Sequence, residues 1–382
     1  MSKPLAIGLI IFFILIITGG VLWLTLKPSG NGEGSMLDGI FPSAGRRDNS
    51  QPDGDKEKDE GIKIDQRLVQ ITQTAVSGFA LKNEGLRFIE RSTGHVFESD
   101  SIGANKTRIS NTTIPQIFKT AWDSDAEGAL IMYREEENIR LASVLFKGTS
   151  SEGVLLPADI ISFDYAPDRD RIIYLVKTSA GLTTFAANPD NTKQAEILRL
   201  PPADFMIGWP AANSISFLSR PSGEAEGVLY RFDINKNSFD KVLGPALGLG
   251  AKWSSNGAGV MYSIYDRSIK KPRMFVYNLK EGKTIDLNVQ TFAQKCSWPG
   301  GEDVFCAIPT SITAGIYPDL WLTGEESFND HLWKINISTL QKKDLADLQD
   351  IDVNEIKNSG DGKFIYFQNK KDGSLWGFRF EE

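Results

Sequence analysis

Histidine and cysteine are almost missing from this chain. Two histidines, His95 and His331, and two cysteines, Cys296 and Cys306, are spread over 382 residues. There is no C-x-x-C pair and no His/Cys group at zinc-ligand spacing, so a metal centre of the common kinds is excluded. The G-x-S-x-G and H-E-x-x-H signatures and paired-carboxylate motifs are lacking as well. The sequence therefore offers no catalytic residues and implies no cofactor. Cations are outnumbered too: 42 Lys and Arg stand against 49 Asp and Glu, a formal net charge of -7. A general nucleic-acid binder displaces counterions with an excess of positive charge, and that class is excluded.

Fragments of familiar motifs fail on their spacing. Asp123-Ser-Asp-Ala-Glu-Gly128 opens like a calcium loop, but its twelfth position is Arg134, where a bidentate Glu is required. Gly282-Lys-Thr284 ends like a phosphate loop, yet the earlier glycine of that motif falls at Tyr277. Asp164, Asp168 and Asp170 flank a turn and read as solvated carboxylates.

Long hydrophobic runs are absent with one exception. Leu5–Leu26 holds 22 uncharged residues dominated by Ile, Leu, Phe and Val. At ~1.5 Å per residue it reaches ~33 Å, enough to cross a hydrocarbon core of ~30 Å. A cleaved signal peptide would have a shorter apolar run and an A-x-A-like site, and no cysteine follows for lipoprotein processing. Lys3 and the amino terminus lie on the short side, and a large domain on the other. The expected topology is a cytoplasmic tail at residues 1–4, a single transmembrane helix at 5–26 and the bulk outside the cytoplasm. Residues 27–61 are rich in Gly, Pro, Ser and Asp and end in the charge run Asp53–Glu60. That composition cannot bury enough apolar surface to order itself, and it reads as a flexible linker.

Residues 62–382 change character. Short runs of β-branched and aromatic residues alternate with Gly, Asp, Asn, Pro and Ser turns, and nothing reads as a long helix. An aromatic closes an apolar run at Trp122, Tyr165, Trp209, Trp253 and Trp298, at intervals of 43, 44, 44 and 45 residues. Stepping back from Trp122 reaches Ala80, and Asn358 stands 60 residues beyond Trp298, across an insertion. Four short strands per period of about 44 residues is the blade pattern of a β-propeller. Seven units fit. The last has three strands, and the unclaimed run Leu68–Thr72 supplies its outer strand, closing the ring and removing an exposed edge. The expected fold is all-β: a seven-bladed propeller preceded by one transmembrane helix and a disordered linker.

Asn358-Ser-Gly-Asp-Gly-Lys-Phe-Ile-Tyr366 resembles the S-P-D-G-x-x-I-x-Y turn of TolB-type, WD40-like propeller repeats. Ala166-Pro-Asp-Arg-Asp-Arg-Ile-Ile-Tyr174 and Ser254-Ser-Asn-Gly-Ala-Gly-Val-Met-Tyr262 are looser copies. The resemblance spans roughly residues 75–380 and departs from WD40 repeats proper, having neither the Gly-His start nor the Trp-Asp end. It implies an extracytoplasmic interaction scaffold. The same repeat also builds the accessory propeller of some serine peptidases, so the role is not fixed by the fold.

Two features stand out within the repeats. Cys296 and Cys306 flank the turn Pro299–Glu302 on the two arms of one hairpin, a spacing compatible with a disulfide and equally with two buried thiols. The insertion Thr310–Asn329 lies between the second and third strands of unit six and carries Tyr317, Asp319, Trp321 and Phe328. The matching loop of unit five, Tyr265–Arg273, carries Arg267, Lys270, Lys271 and Arg273. Neighbouring units bring these loops to one face. Aromatic contact area beside cations suits a binding surface for an envelope protein or an anionic envelope polymer. The competing expectation is a lid whose rings pack onto the blade. The function expected is thus a membrane-tethered binding scaffold, with a propeller enzyme acting on an envelope glycan through the central channel as the alternative.

Overall fold

The computed structural model describes residues 65–380 except 84, 148, 149, 168 and 169. The expected tail at 1–4, membrane helix at 5–26 and linker at 27–61 lie outside the described residues, as does Asp168. Among the described residues no helix is long and apolar enough to cross a membrane.

The strands assemble into seven four-stranded antiparallel sheets. The innermost strands of blades 1 to 7 are Val76–Lys82, Ile117–Trp122, Ile160–Tyr165, Phe205–Ala211, Gly250–Trp253, Cys296–Ser297 and Val353–Asn358. In blades 1 to 6 the four strands follow in chain order. Blade 7 takes its outer strand from the start of the domain: Leu68–Gln70 pairs with Leu375–Arg379, Leu68 opposite Phe378 and Gln70 opposite Trp376. The ring closes where the leftover strand predicted it would.

The second strand of each blade shows why the sequence reads as short continuous apolar runs. Both of its faces are covered by neighbouring sheets, so hydrophobic residues need not alternate with polar ones. In Ile172–Thr178, Ile172 and Tyr174 pack back among Leu130 and Met132 of blade 2. Ile173 and Leu175 pack forward among Ile207, Ile215 and Phe217 of blade 4. Burying each such side chain stabilises the ring by roughly 1.5–3 kcal/mol. The outer strands, such as Ala195–Leu200, face solvent and carry mixed residues.

The recurrent turn has a local cause. In blade 7 the Ser359 hydroxyl accepts the Phe364 amide at 2.9 Å and donates to Asp361 at 2.6 Å, while Asp361 accepts the Lys363 amide at 3.0 Å. In blade 5, Ser254 accepts the Gly259 amide at 3.0 Å in the same way. Gly257 and Gly362 follow at φ +67° and +72°, a conformation that costs glycine little. Cys296 and Cys306 face each other across the first pair of strands in blade 6 and are joined by a buried disulfide.

Candidate functional site

The insertion of blade 6 folds as a cap. After a loop from Thr310 it forms one short helix, Asp319–Thr323, ended by Gly324 at φ +83°. Trp321 lies flat on Phe292, ring centroids 4.7 Å apart and 3° from parallel, and Tyr317 and Phe328 pack around the same ring at 5.9 and 6.1 Å. Tyr317 and Trp321 are 0% exposed and Phe328 4%, so these rings are core and present no contact surface. The packed-lid expectation describes them; a site built on direct contact with their faces does not. Asp319 is an internal fastener as well. It accepts the Ser222 hydroxyl at 2.9 Å and the Gly223 amide at 2.6 Å, both from the matching loop of blade 4.

The basic loop of blade 5 does meet the insertion, through backbone: the Gly315 amide donates to the Lys270 carbonyl at 3.0 Å. Arg267 and Lys270 are exposed and Lys271 is half-buried. Arg273 is neutralised, bonded to Asp286 and, at 3.3 Å, to Asp266. Phe292 and Asp352 stand immediately or shortly before innermost strands, so the cap lies near the mouth of the channel on the side of blades 5 to 7.

Beneath the cap is a charged cluster that the motif search missed. Lys295, Asp330 and Asp352 are all 0% exposed. The Lys295 ammonium donates to Asp330 at 2.6 Å and also to Asp352. Asp352 further accepts the Trp321 indole at 3.1 Å, the Ser327 hydroxyl at 3.1 Å and the Phe328 amide at 3.2 Å. Asp330 accepts the Val353 amide at 2.7 Å through one oxygen, and its other oxygen is buried without a partner. Burial pushes the Asp330 carboxyl above the usual range, against the pull of Lys295. The cluster joins the inner edge of blade 6, the cap and the start of blade 7.

The channel wall carries a second set of charges, from Lys119, Asp164, Lys252, Glu355 and Lys357. Most bond to a neighbouring blade. Asp164 accepts the Trp209 amide of blade 4 at 2.8 Å and its neighbour Tyr165 at 2.9 Å. Lys252 donates to the carbonyls of Cys296 in blade 6 and Ile356 in blade 7, each at 2.9 Å. Lys357 donates to the Phe79 carbonyl of blade 1 at 2.6 Å and pairs with Glu355 at 2.9 Å. These bonds tie the inner strands of adjacent blades together, and Lys252 reaches from blade 5 to blade 7 as well. Asp164 is thus a wall group, not the solvated turn carboxylate expected from sequence. Burial raises its pKa and lowers that of Lys119, while Lys252 is pushed down to about 8, chiefly by burial. Two cavities, of about 390 and 670 Å³, open off this wall and share Leu81, Glu355 and Lys357.

A larger groove, about 740 Å³, runs between blades 5 and 6 beside the cap. Ile308, Pro309 and Trp333 line it with Arg273, His331 and Asp344. His331 sits 3.1 Å from Asp344 and 3.5 Å from Asp347. Exposed Ile269, Ile316 and Leu322 stand on the blade 5 loop and the cap. Among the described residues no group of three or more His, Cys, Asp or Glu side chains could hold a metal ion.

Seven blades of four strands each and a ring closed by the first strand define the fold: this is a seven-bladed β-propeller, and its blade 7 turn resembles that of TolB-type, WD40-like repeats. Solved structures that share the fold include the oligogalacturonate lyase of Vibrio parahaemolyticus, at 10% identity and a TM-score of 0.57, covering 82% of this chain and 94% of that one. The hydrazine synthase of Kuenenia stuttgartiensis matches at 10% identity and 0.56, covering 81% and 97%. A TolB from Acinetobacter baumannii matches at 13% identity and 0.47; the alignment covers 71% of this chain and 63% of that protein's length. No family model and no curated protein matches the sequence.

Proposed function

We propose that this chain is a membrane-tethered binding scaffold held outside the cytoplasm, and that it meets a protein partner on the capped face beside the groove between blades 5 and 6. The observation that carries this reading is the groove itself: an open concavity of about 740 Å³ lined by apolar and polar side chains, with exposed Ile269 on its wall and exposed Ile316 and Leu322 on the cap. The apolar run Leu5–Leu26 supports the tether, and the Cys296–Cys306 disulfide supports an oxidising compartment. The charge around the groove is mixed. Arg273 is already neutralised, and Asp344 and Asp347 offer carboxylates. A protein surface of alternating apolar and charged groups fits this better than an anionic polymer does.

The second reading is an enzyme acting on an envelope glycan through the channel. In its favour stands Asp164, whose pKa burial raises. Against it, both Asp164 oxygens already accept backbone amides. The fold shared with an oligogalacturonate lyase, at 10% identity, speaks for architecture alone.

The test is retention of envelope proteins and of envelope polymers, assayed separately, on the immobilised chain and on Ile269→Asp and Leu322→Asp. These positions are 42% and 45% exposed, so the substitutions leave the core intact. A protein partner lost tenfold or more from either variant, with unchanged melting, supports the reading. Equal retention by all three, or capture of polymer alone, overturns it.

A further inference from the structure

The outer strand of blade 2, Ser150–Leu155, is the least guarded edge of the ring. Among the described residues four outer strands run to six residues or more. Those of blades 3, 4 and 6 each break register against the third strand, and Lys342–Asp347 of blade 6 is mostly charged. Bulges and charges keep an edge from pairing with a further strand. Ser150–Leu155 pairs with Asn138–Lys147 unbroken and carries one charge, Glu152. The Leu156 amide donates to the Leu141 carbonyl at 2.9 Å. By alternation the N–H and C=O groups of Ser151, Gly153 and Leu155 then point off the edge. Pro157, the next residue of that parity, has no N–H and ends the row.

Gly153 stands at the middle of this edge, opposite Val144, with its φ outside the left-handed region. A Cβ built there would meet nothing nearer than the Ser143 carbonyl oxygen and Val144 Cγ2, each at 3.5 Å, an ordinary contact. The fold does not itself need glycine here, and glycine weakens a strand. The missing side chain leaves a notch in the wall of a groove of about 480 Å³, which Ile114, Pro115, Tyr133, Val144 and Leu155 line with it. Val144, Gly153 and Leu155 share one face of the sheet. Leu155 is 59% exposed, and Glu135 and Glu136 border the same groove.

We propose that this edge takes an extended segment of a partner protein as a fifth, antiparallel strand of blade 2, with an aromatic side chain seated over Gly153. The inference goes beyond the reading given above and stands on different residues: it is a second contact surface, on blade 2. The row of outward N–H and C=O groups is matched by another extended backbone, and three residues that each exchange two bonds give up to about six hydrogen bonds. An aromatic opposite an edge glycine covers the backbone that the glycine leaves bare. Here it also fills the notch against Val144. A basic residue at the end of the segment meets Glu135 and Glu136. A second copy of this chain fits less well: in the symmetric register Gly153 meets Gly153, and the notch stays empty.

The probe is the blocked peptide Lys-Val-Thr-Tyr-Thr-Val-Lys, whose tyrosine falls opposite Gly153 when the strands pair. Its affinity for the full chain is read by fluorescence anisotropy, and amide exchange with and without it by mass spectrometry. With peptide bound, the amides of Ser151, Gly153 and Leu155 should exchange about tenfold more slowly, and those of Ala195–Leu200 should not change. Gly153→Val fills the notch with a residue that suits a strand, and Leu155→Pro removes an outward donor while leaving the inward ones. Each should weaken binding about tenfold with little change of melting temperature, as should the peptide with alanine in place of tyrosine. No binding at about 1 mM peptide, or protection at another edge, overturns the proposal. So does equal binding by Gly153→Val or by the alanine peptide.

Discussion

Replacing Lys295 by methionine is the most direct way to ask what seats the cap. The side chains have similar length, so the substitution removes a charge with little change of volume. It leaves Asp330 and Asp352 facing each other in a site that is 0% exposed. Breaking a buried ion pair from one side costs about 3–5 kcal/mol, because the remaining charge loses its counter-charge without gaining water. At an unfolding entropy of ~2.1 cal/mol/K per residue, a head of roughly three hundred residues loses about 5–8 °C of melting temperature. Asp330→Asn should cost far less. Burial already favours the neutral form of Asp330, and an amide oxygen can still accept from Val353 and Lys295. The double variant, Lys295→Met with Asp330→Asn, should recover at least about 1 kcal/mol of the single loss, since it removes one of the two uncompensated carboxylates. Urea unfolding and calorimetry of all four proteins at pH 7 measure the cycle. A loss below about 1 kcal/mol for Lys295→Met, or additive costs in the double variant, would refute the view that Lys295 holds two buried carboxylates together.

Two further outcomes follow from the same physics. Lys252 has a folded-state pKa of about 8, below its unfolded value, so between about pH 8 and 10.4 the unfolded chain binds more protons and stability rises with pH. The slope should approach ~1.4 kcal/mol per pH unit in that window, and Lys252→Met, followed by denaturant titration across it, should lack the rise; matching slopes refute the assignment. A chain begun at residue 73 lacks Leu68–Gln70 and leaves the edge of Leu375–Arg379 unpaired. It should self-associate in light scattering where a chain begun at residue 62 does not, and monodispersity of both would remove the closing strand from the account of solubility.

The fold was legible because its cause repeats. An aromatic that closes an apolar strand before a turn recurs every 43 to 45 residues from Trp122 to Trp298, and the count left one strand, Leu68–Thr72, to close the ring. The disulfide partners could be placed on one hairpin, though a pair of thiols fits the same spacing. The site was less legible. Tyr317, Trp321 and Phe328 look like contact residues in a loop, and packing around Phe292, 25 to 36 residues upstream, turns them into core. The buried cluster joins Lys295, Asp330 and Asp352 from three stretches of chain with no motif spacing. The channel lysines did leave a trace. Lys252 and Lys357 directly precede the anchors Trp253 and Asn358, and Asp164 precedes Tyr165, where other repeats carry Ala121, Gly208 and Ser297. Reading that column across the repeats marks charges that face the channel.

The closing strand has a mechanical side. Residues 68–70 are both the outer strand of blade 7 and the point where the chain enters the head. Any load borne by the chain before Asp65 therefore reaches the ring through its clasp, a three-residue strand reinforced by the Arg67 guanidinium on the Leu345 carbonyl at 2.7 Å. Pulling there peels the clasp from Leu375–Arg379 and frees the seam between blades 7 and 1, where the run of blades begins and ends, while the disulfide keeps the first hairpin of blade 6 together. Tension and ring opening are thus coupled by the order of the strands.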